Sequence, residues 1–350
     1  MPDSWEFNQR PSSGSANTQV PVLTYLLCSV CVLLTLANLT SGDTPSSFWY
    51  QLGHFADPDT DAIWSGRYYL LFTSMFLHVN YIHLIFNMLW MAQLGRAMET
   101  TLNPAIYFLF IVVAAILSSG AELCFMGGTG IGASGVVYAM FGLMWAGRAR
   151  FPEWRAYATR QNLNLFLGWG VLCIITTITH IMNVGNFAHA GGLVFGLAIG
   201  WLFFAPRRQP LWAIPLALLV GITVLSVTWL PWTSAWNFWK GSREFTHERY
   251  QSAITYYQRC VKFDPDNSAA WHNIGAAWHN IYIQLDESRD QDAIQRAQAQ
   301  EAIAEERAKQ IEQRESKQEQ DAAKSEEGTS ILKGLGPSPE APGSSGDTTQ

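Results

Sequence analysis

Gly132-Ala133-Ser134-Gly135-Val136-Val137-Tyr138-Ala139-Met140-Phe141-Gly142 opens an apolar helix with a single serine at its start. The apolar pattern ends at Gly147, before Arg148 and Arg150. Fourteen residues from Ser134 to Gly147 at ~1.5 Å each rise roughly 21 Å, whereas a ~30 Å hydrocarbon core needs about 20 residues. This helix is too short to cross a bilayer alone. The Gly127-Gly128-Thr129-Gly130-Ile131 that precedes it is then irregular backbone at membrane depth, which is tolerated only inside protein or beside a water-filled cavity. Ser134 is thereby placed where water reaches below the membrane surface. A second stretch, Ala188-His189-Ala190-Gly191-Gly192-Leu193-Val194-Phe195-Gly196, supplies a base of the kind a serine nucleophile needs.

The surrounding composition is that of a membrane protein with a soluble end. Of the 350 residues, 49% are apolar and 14% charged. Met1 to Lys240 holds 10 Lys/Arg against 9 Asp/Glu, and Gly241 to Gln350 holds 12 against 19. The net charge of −6 therefore comes from the C-terminal part, while the front part is apolar enough to span a bilayer repeatedly. No basic excess points to nucleic acid. Cys28, Cys31, Cys124 and Cys173 fall in apolar segments. Cys28 and Cys31 form a C-x-x-C inside a spanning segment with no second pair, and read as small apolar residues rather than a metal or redox site. No cofactor or metal is implied. Met1 to Gln19 is polar and leads into a full-length span, not into the short apolar region of a cleavable signal peptide.

Apolar runs predict spanning helices at 20–39, 69–94, 104–126, 134–147, 163–182, 187–204 and 211–231. Arg10, Arg96, Arg148, Arg150, Arg155, Arg160, Arg207 and Arg208 fall in the N-terminus or in even-numbered loops, and Arg67 alone falls in an odd-numbered one. This bias places the N-terminus in the cytoplasm. Ser134 and His189 then both lie near the outer ends of their helices, and seven spans leave the C-terminal tail outside. Trp49, Tyr50 and Trp64 in the loop from Thr40 to Trp64 suggest a segment lying in the outer membrane surface.

The second span carries His78, His83 and Asn87. Polar groups inside a span are costly and face a cavity or a partner. His83 and Asn87 are four apart and share a helix face; His78, five residues earlier, stands about 140° round a continuous helix and does a different job. On the fourth and sixth spans, Gly135, Ala139 and Gly142 recur at i, i+4 and i+7, and His189, Gly192 and Gly196 at i, i+3 and i+7. Small residues so spaced let two backbones approach closely, which brings Ser134 within reach of His189. Tyr138, one turn below Ser134, faces the same way and is placed to pack against the imidazole.

After the seventh span, Gly241, Tyr250, Ala253, Tyr257, Cys260 and Pro265 are followed by Trp271, Gly275 and Trp278. Gly241 and Gly275 are 34 apart, the tetratricopeptide period. The pattern covers one unit and the first helix of another; Ala293-Ile294 arrives about six residues late. Arg289 to Lys324 is rich in Ala, Gln, Glu, Lys and Arg, which favours helix, with few apolar anchors, as in a solvated extension. Glu326 to Gln350 is rich in Gly, Ser and Pro, a composition that favours disorder.

These residues resemble the rhomboid intramembrane serine proteases. The resemblance covers roughly Gly66 to Ile199 and rests on four blocks, in order, on the second, fourth and sixth spans. They are His78-x4-His83-x3-Asn87, with Gly95-x3-Glu99 at the end of that helix; Gly132-x-Ser134-Gly135 with Tyr138 and Gly142; and Ala188-His189-x2-Gly192-x3-Gly196. It implies an all-α, polytopic membrane protein with a six-helix core, a Ser134–His189 dyad, and cleavage of membrane-spanning protein substrates near their outer boundary. It further implies an oxyanion hole from the Ser134 N–H with His83 and Asn87, and a stacking role for Tyr138. His78 falls among the supporting residues, and Gly132, Gly135, Gly142, Gly192 and Gly196 are packing positions. The seventh span resembles the six-plus-one form. One departure is Tyr69-Leu70 where the family often has Trp-Arg; the nearest base is Arg67.

The expected organisation is a polar segment at 1–19, a protease-like core at 20–206, a seventh span with flanks at 207–235, tetratricopeptide-like helices at 236–288, a charged helical extension at 289–325 and a disordered tail at 326–350. A bacterial cytoplasmic membrane is the default location. The expected partners are the bilayer, transmembrane substrates and a protein met by the tail. Two other classes of function compete. A non-catalytic relative that binds or escorts spanning clients usually lacks the serine or the histidine, and both are present here. A membrane anchor whose work is done by the tail leaves the polar groups of the second, fourth and sixth spans unexplained.

Overall fold

The structure, a computed structural model, describes residues 20–40, 47–204, 209–286 and 289–334. The polar segment 1–19, Arg207 and Arg208, and the last residues from 335 on lie outside these. Every regular element among the described residues is helical, and the chain divides into two compact units, Met1–Trp239 and Lys240–Gln350.

The first unit is the apolar one. It begins with α1 (Val22–Thr40), then the short α2 (Phe48–His54), α3 (Thr60–Trp64) and α4 (Leu70–Thr73). The long helices α5 (Tyr81–Glu99), α6 (Pro104–Met126), the short α7 (Ser134–Gly147), α8 (Arg160–Ile178), α9 (Asn186–Phe204) and α10 (Gln209–Thr228) follow. Five of them, α1, α6, α8, α9 and α10, are long and apolar enough to cross a membrane. Large apolar side chains point outward from α5, α8 and α10, among them Phe86, Trp169, Ile175 and Leu218, as a bilayer rather than water requires. The chain is an integral, multi-pass membrane protein.

The second predicted span is not one helix. Leu70–Phe76 and Tyr81–Glu99 are bent by 100° at the break between them. Leu77 is extended, and Asn80 caps α5 by accepting the His83 N–H at 2.9 Å. Asparagine is a preferred N-cap, and here it starts a new helix inside an apolar run that reads as continuous. His78 consequently stands in the link and not on the helix, so its expected angular position relative to His83 does not apply.

Trp64 is a second correction. It is not an exposed aromatic: it is buried, and its indole N–H donates to Ser226 O at 3.0 Å, in the last turn of α10. The last carbonyls of a helix lack partners of their own, and an indole donor satisfies one while burying its rings.

α7 is central to this unit. It packs along its length on α9 and also touches α5 and α6, while α10 lies against α6 and α9. The α7–α9 contact is backbone on backbone. A Cβ added at Gly192 would overlap the Gly135 carbonyl, one at Gly196 the Ala139 carbonyl, and one at Gly142 would come within 2.8 Å of Leu193 O. The glycines are thus space requirements of two helices in direct contact. Elsewhere, Glu99 ends α5 by accepting the Leu23 and Thr24 N–H groups at 2.9 and 2.8 Å and the Thr24 hydroxyl at 2.7 Å. Gly95 makes room for Thr24, since a Cβ there would meet it at 2.6 Å.

α11 (Ser234–Thr246) runs across the boundary between the units. The second unit continues with α12 (Tyr250–Phe263), α13 (Ser268–Tyr282) and α14 (Gln291–Gly334). Gly241 abuts the Tyr257 ring, whose hydroxyl donates to Ser242 Oγ at 3.2 Å. α14 lies antiparallel on α13: Asp266 meets Arg314, His272 meets Glu312, and His279 meets Glu301, all at 2.8–2.9 Å. These exposed pairs contribute little; the docking is apolar, through Ala297, Ala304, Ala308 and Ile311, spaced at sevens, fours and threes as one helix face demands. The first part of the charged stretch is therefore a packed helix and not a solvated extension. Small residues at that spacing suffice for burial against Gly275. The helix continues to Gly334, past the predicted limit at 325.

The α7–α9 contact yields a prediction. Gly196→Val should drive the two helices apart and lower the thermal unfolding midpoint by at least ~5 °C, since overpacking costs ~1–3 kcal/mol or more. Gly168→Val on α8, where an added Cβ meets nothing within 4 Å, should leave the midpoint within about 2 °C of wild type, the few tenths of a kcal/mol ordinary for a surface change. Equal midpoints for Gly196→Val and wild type would contradict the packing account.

Candidate active site

Ser134 is the first residue of α7, and the first intrahelical bond there runs from Val137 N–H to Ala133 O at 2.9 Å. The amides of Ser134, Gly135 and Val136 therefore precede the helical ladder and project from a helix N-terminus, a place suited to negative charge. His189 sits in the first turn of α9 and is buried. Its Nε2 is 2.8 Å from Ser134 Oγ, a hydrogen bond between a hydroxyl and an imidazole. His189 Nδ1 has no protein partner among the described residues, so no acid completes a triad.

The imidazole is held by one face. Tyr138 stacks on it with ring centroids 4.6 Å apart and planes 16° from parallel. Tyr138 is fixed in turn by donating its hydroxyl to Phe166 O at 2.8 Å and by an edge contact with the Phe166 ring at 5.1 Å. α8 thus steadies the ring that steadies His189.

The other predicted residues collect around the loop before Ser134. Gly132 has φ +122°, and a Cβ there would lie 2.6 Å from His83 Cε1; both the left-handed backbone and the space demand glycine. Gly132 N–H donates to Ser74 O at 3.2 Å, and the Ala133 N–H points to His78 Nε2 at 3.4 Å. Thr35 Oγ1 stands 3.3 Å from His78 Nδ1 and 3.2 Å from Phe76 O. His78 therefore ties the link before α5 to the serine loop, and its ring meets that of His83 edge-on at 5.0 Å. Asn87 is buried one turn below His83 and donates one amide hydrogen to His83 O at 2.9 Å; the amide has a second hydrogen to offer. Ser134, His189, Tyr138, His83 and His78 form one connected site around Gly132, with Asn87 attached to it through His83. Gly135, Gly142, Gly192 and Gly196 allow the close approach of the two helices that carry it. Among the described residues, no three His, Cys, Asp or Glu side chains gather as metal ligands.

Two groups at the site were not singled out from sequence. Thr35 has no signal beyond being a hydroxyl in a span. Glu122 does: an acid within the apolar 104–126 run is costly. It is buried, and it accepts the Ala188 N–H at 2.9 Å beside His189.

Such a site defines a class: a multi-pass membrane protein in which a glycine-packed half-length helix presents a serine to a histidine on its neighbour. The Rhomboid domain family model matches residues 65–206. Rhomboid protease GlpG of Salmonella choleraesuis (strain SC-B67) is 31% identical over 209 residues, covering 57% of this chain and 72% of the relative. Rhomboid protease GlpG of Salmonella newport (strain SL254) and that of Salmonella typhimurium (strain LT2) are each 30% identical over the same length and coverage. The chain belongs to the rhomboid family.

Proposed function

We propose that this protein is an intramembrane serine endopeptidase that cuts membrane-spanning protein substrates near their outer membrane boundary. The observation that carries this reading is the 2.8 Å contact between Ser134 Oγ and His189 Nε2 at the head of a helix too short to span. A serine hydroxyl needs an adjacent base to attack a carbonyl. His189 Nε2 accepts the hydroxyl proton as Oγ bonds to the scissile carbonyl carbon, and later returns it to the leaving amine. Water then repeats the sequence on the acyl-enzyme. The tetrahedral oxyanion is met by the Ser134 amide at the helix N-terminus, with His83 and Asn87 as side-chain donors. Donors already in place stabilise the transition state without reorganising. Tyr138 keeps the imidazole in plane through both proton transfers. Two features support the dyad form: a ring held by stacking needs no carboxylate to orient it, and the geometry of such sites matters more than the count of members.

Ser134 lies at the end of the bundle where loop 127–133 lies. The segment after α10 reaches the same end: Trp232 donates to Cys124 O at 2.9 Å, and Thr233 packs against Gly127. With the arginine bias, this supports an outside location for both the site and the start of the tail, the N-terminus being cytoplasmic. A bacterial cytoplasmic membrane suits this orientation. The α11–α14 unit, with its tetratricopeptide-like pairing, then offers a partner-binding module on the side where substrates are cut.

Two experiments test these readings. With a purified single-span substrate, Ser134→Ala and His189→Ala should each abolish cleavage, and the double variant should be no worse, as for groups that act together. Asn87→Ala in the same assay should lower kcat by roughly 10- to 1,000-fold with little change in KM. Substantial cleavage by either single variant would contradict the dyad, and a change confined to KM would remove Asn87 from the oxyanion site. For the tail, Ser316→Cys in a background lacking the native cysteines should react with a membrane-impermeant maleimide in intact cells with a permeable outer layer. Labelling only after lysis would place the tail in the cytoplasm.

A further inference from the structure

Glu122 is a buried carboxylate that the chemistry above leaves unused. It is 5% exposed, and no other acid among the described residues is as fully buried. Its partner is remote in sequence: one carboxylate oxygen accepts the Ala188 N–H at 2.9 Å. The reason lies in how α9 begins. The Asn186 amide turns back to Val184 O at 2.8 Å, and the first i to i−4 bond is made by His189 itself, to Gly185 O at 3.1 Å. Ala188 falls between them, and its amide has no helical carbonyl to meet. Glu122 meets it from α6, at the positive end of the α9 dipole.

The same face of α6 touches both halves of the site. Ser118, one turn before Glu122, fills the space beside Gly135: a Cβ there would lie 2.6 Å from Ser118 Oγ and 3.2 Å from Ala188 O. Gly185 passes close on the other side, where a Cβ would stand 3.6 Å from the Glu122 carboxyl carbon. The fold uses the device a second time at α1, whose first amides are met by Glu99. There the capped helix carries no reacting group; in α9 the capped residue is one position before the base.

We propose that Glu122 is a positioning residue. By holding the first turn of α9 through the Ala188 amide, it fixes where the His189 imidazole stands relative to Ser134 Oγ, and so sets the rate at which His189 takes the hydroxyl proton. Glu122 itself does not touch the substrate. This rests on the reading of Ser134 and His189 as a catalytic pair.

The test is the kinetics of labelling by a fluorophosphonate, with rate constant and labelled fraction measured separately on the purified full chain. Glu122→Gln keeps an oxygen acceptor for the Ala188 N–H. Glu122→Met conserves volume and has no such acceptor. Glu122→Gln should label within about threefold of the wild-type rate constant, the scale of one modest hydrogen-bond change. Glu122→Met should label at least ~10-fold more slowly per active site, the scale of a small misplacement of a reacting group, with the labelled fraction preserved. A Met variant whose labelled fraction falls while the rate constant stays at wild type would contradict the proposal and leave Glu122 a folding residue only. Equal slowing of Gln and Met would also contradict it. Should the Met variant not fold, a Gln variant slowed more than ~10-fold would be enough to overturn it. Wild-type protein that does not label at all would instead overturn the serine–histidine reading.

Discussion

The structure depends on one contact, the backbone of α7 against the backbone of α9. Nothing in a bilayer drives two apolar helices together as water would, so helix association relies on close packing and on polar contacts. Gly192 facing Gly135, Gly196 facing Ala139, and Gly142 facing the Leu193–Leu197 turn give the helices no side chains to hold them apart. The separation this fixes is the one at which a serine on one helix and an imidazole on the other form a hydrogen bond. A single methyl group at these positions would overlap the facing backbone.

A second constraint follows from the solvent. Each unsatisfied backbone amide in hydrocarbon costs several kcal/mol, and α7 and α9 both begin at the site, where their first amides have no helical partners. The fold answers this differently for the two helices. The Ser134 end of α7 presents its amides toward the candidate oxyanion position, and the loop before it is held by Ser74 O and by His78. The His189 end of α9 is closed by a carboxylate from α6. One helix start lies beside the Ser134–His189 contact, and the other is capped by a side chain. Trp64 and Trp232 do the complementary work at carbonyl ends, on α10 and α6.

Much of this was legible in the sequence, for identifiable reasons. The short length of α7, the i, i+4, i+7 glycine spacing and the Tyr138 register follow from helical geometry alone, and the structure has the same register. The break before α5 was not legible: Asn80 interrupts an apolar run whose hydropathy carries no trace of a 100° bend, and His78 lies in that break, not on the helix of His83. The burial of Trp64 was not legible, because an interfacial tryptophan and one donating to a helix end look alike in sequence. In the C-terminal unit, α14 packs through alanines, which carry too little hydrophobicity to mark a buried face. Glu122 had a signal, an acid in a span, but its partner lies 66 residues away and no local pattern names it.

The most direct measurement of the central claim is the identity of the residue that reacts. Purified wild-type protein treated with a fluorophosphonate, digested and mapped by mass spectrometry should carry the adduct on the peptide containing Ser134, at that serine, and the same treatment of His189→Ala should leave the peptide unmodified. An adduct at any other serine, or undiminished modification of Ser134 in the absence of His189, would contradict the account.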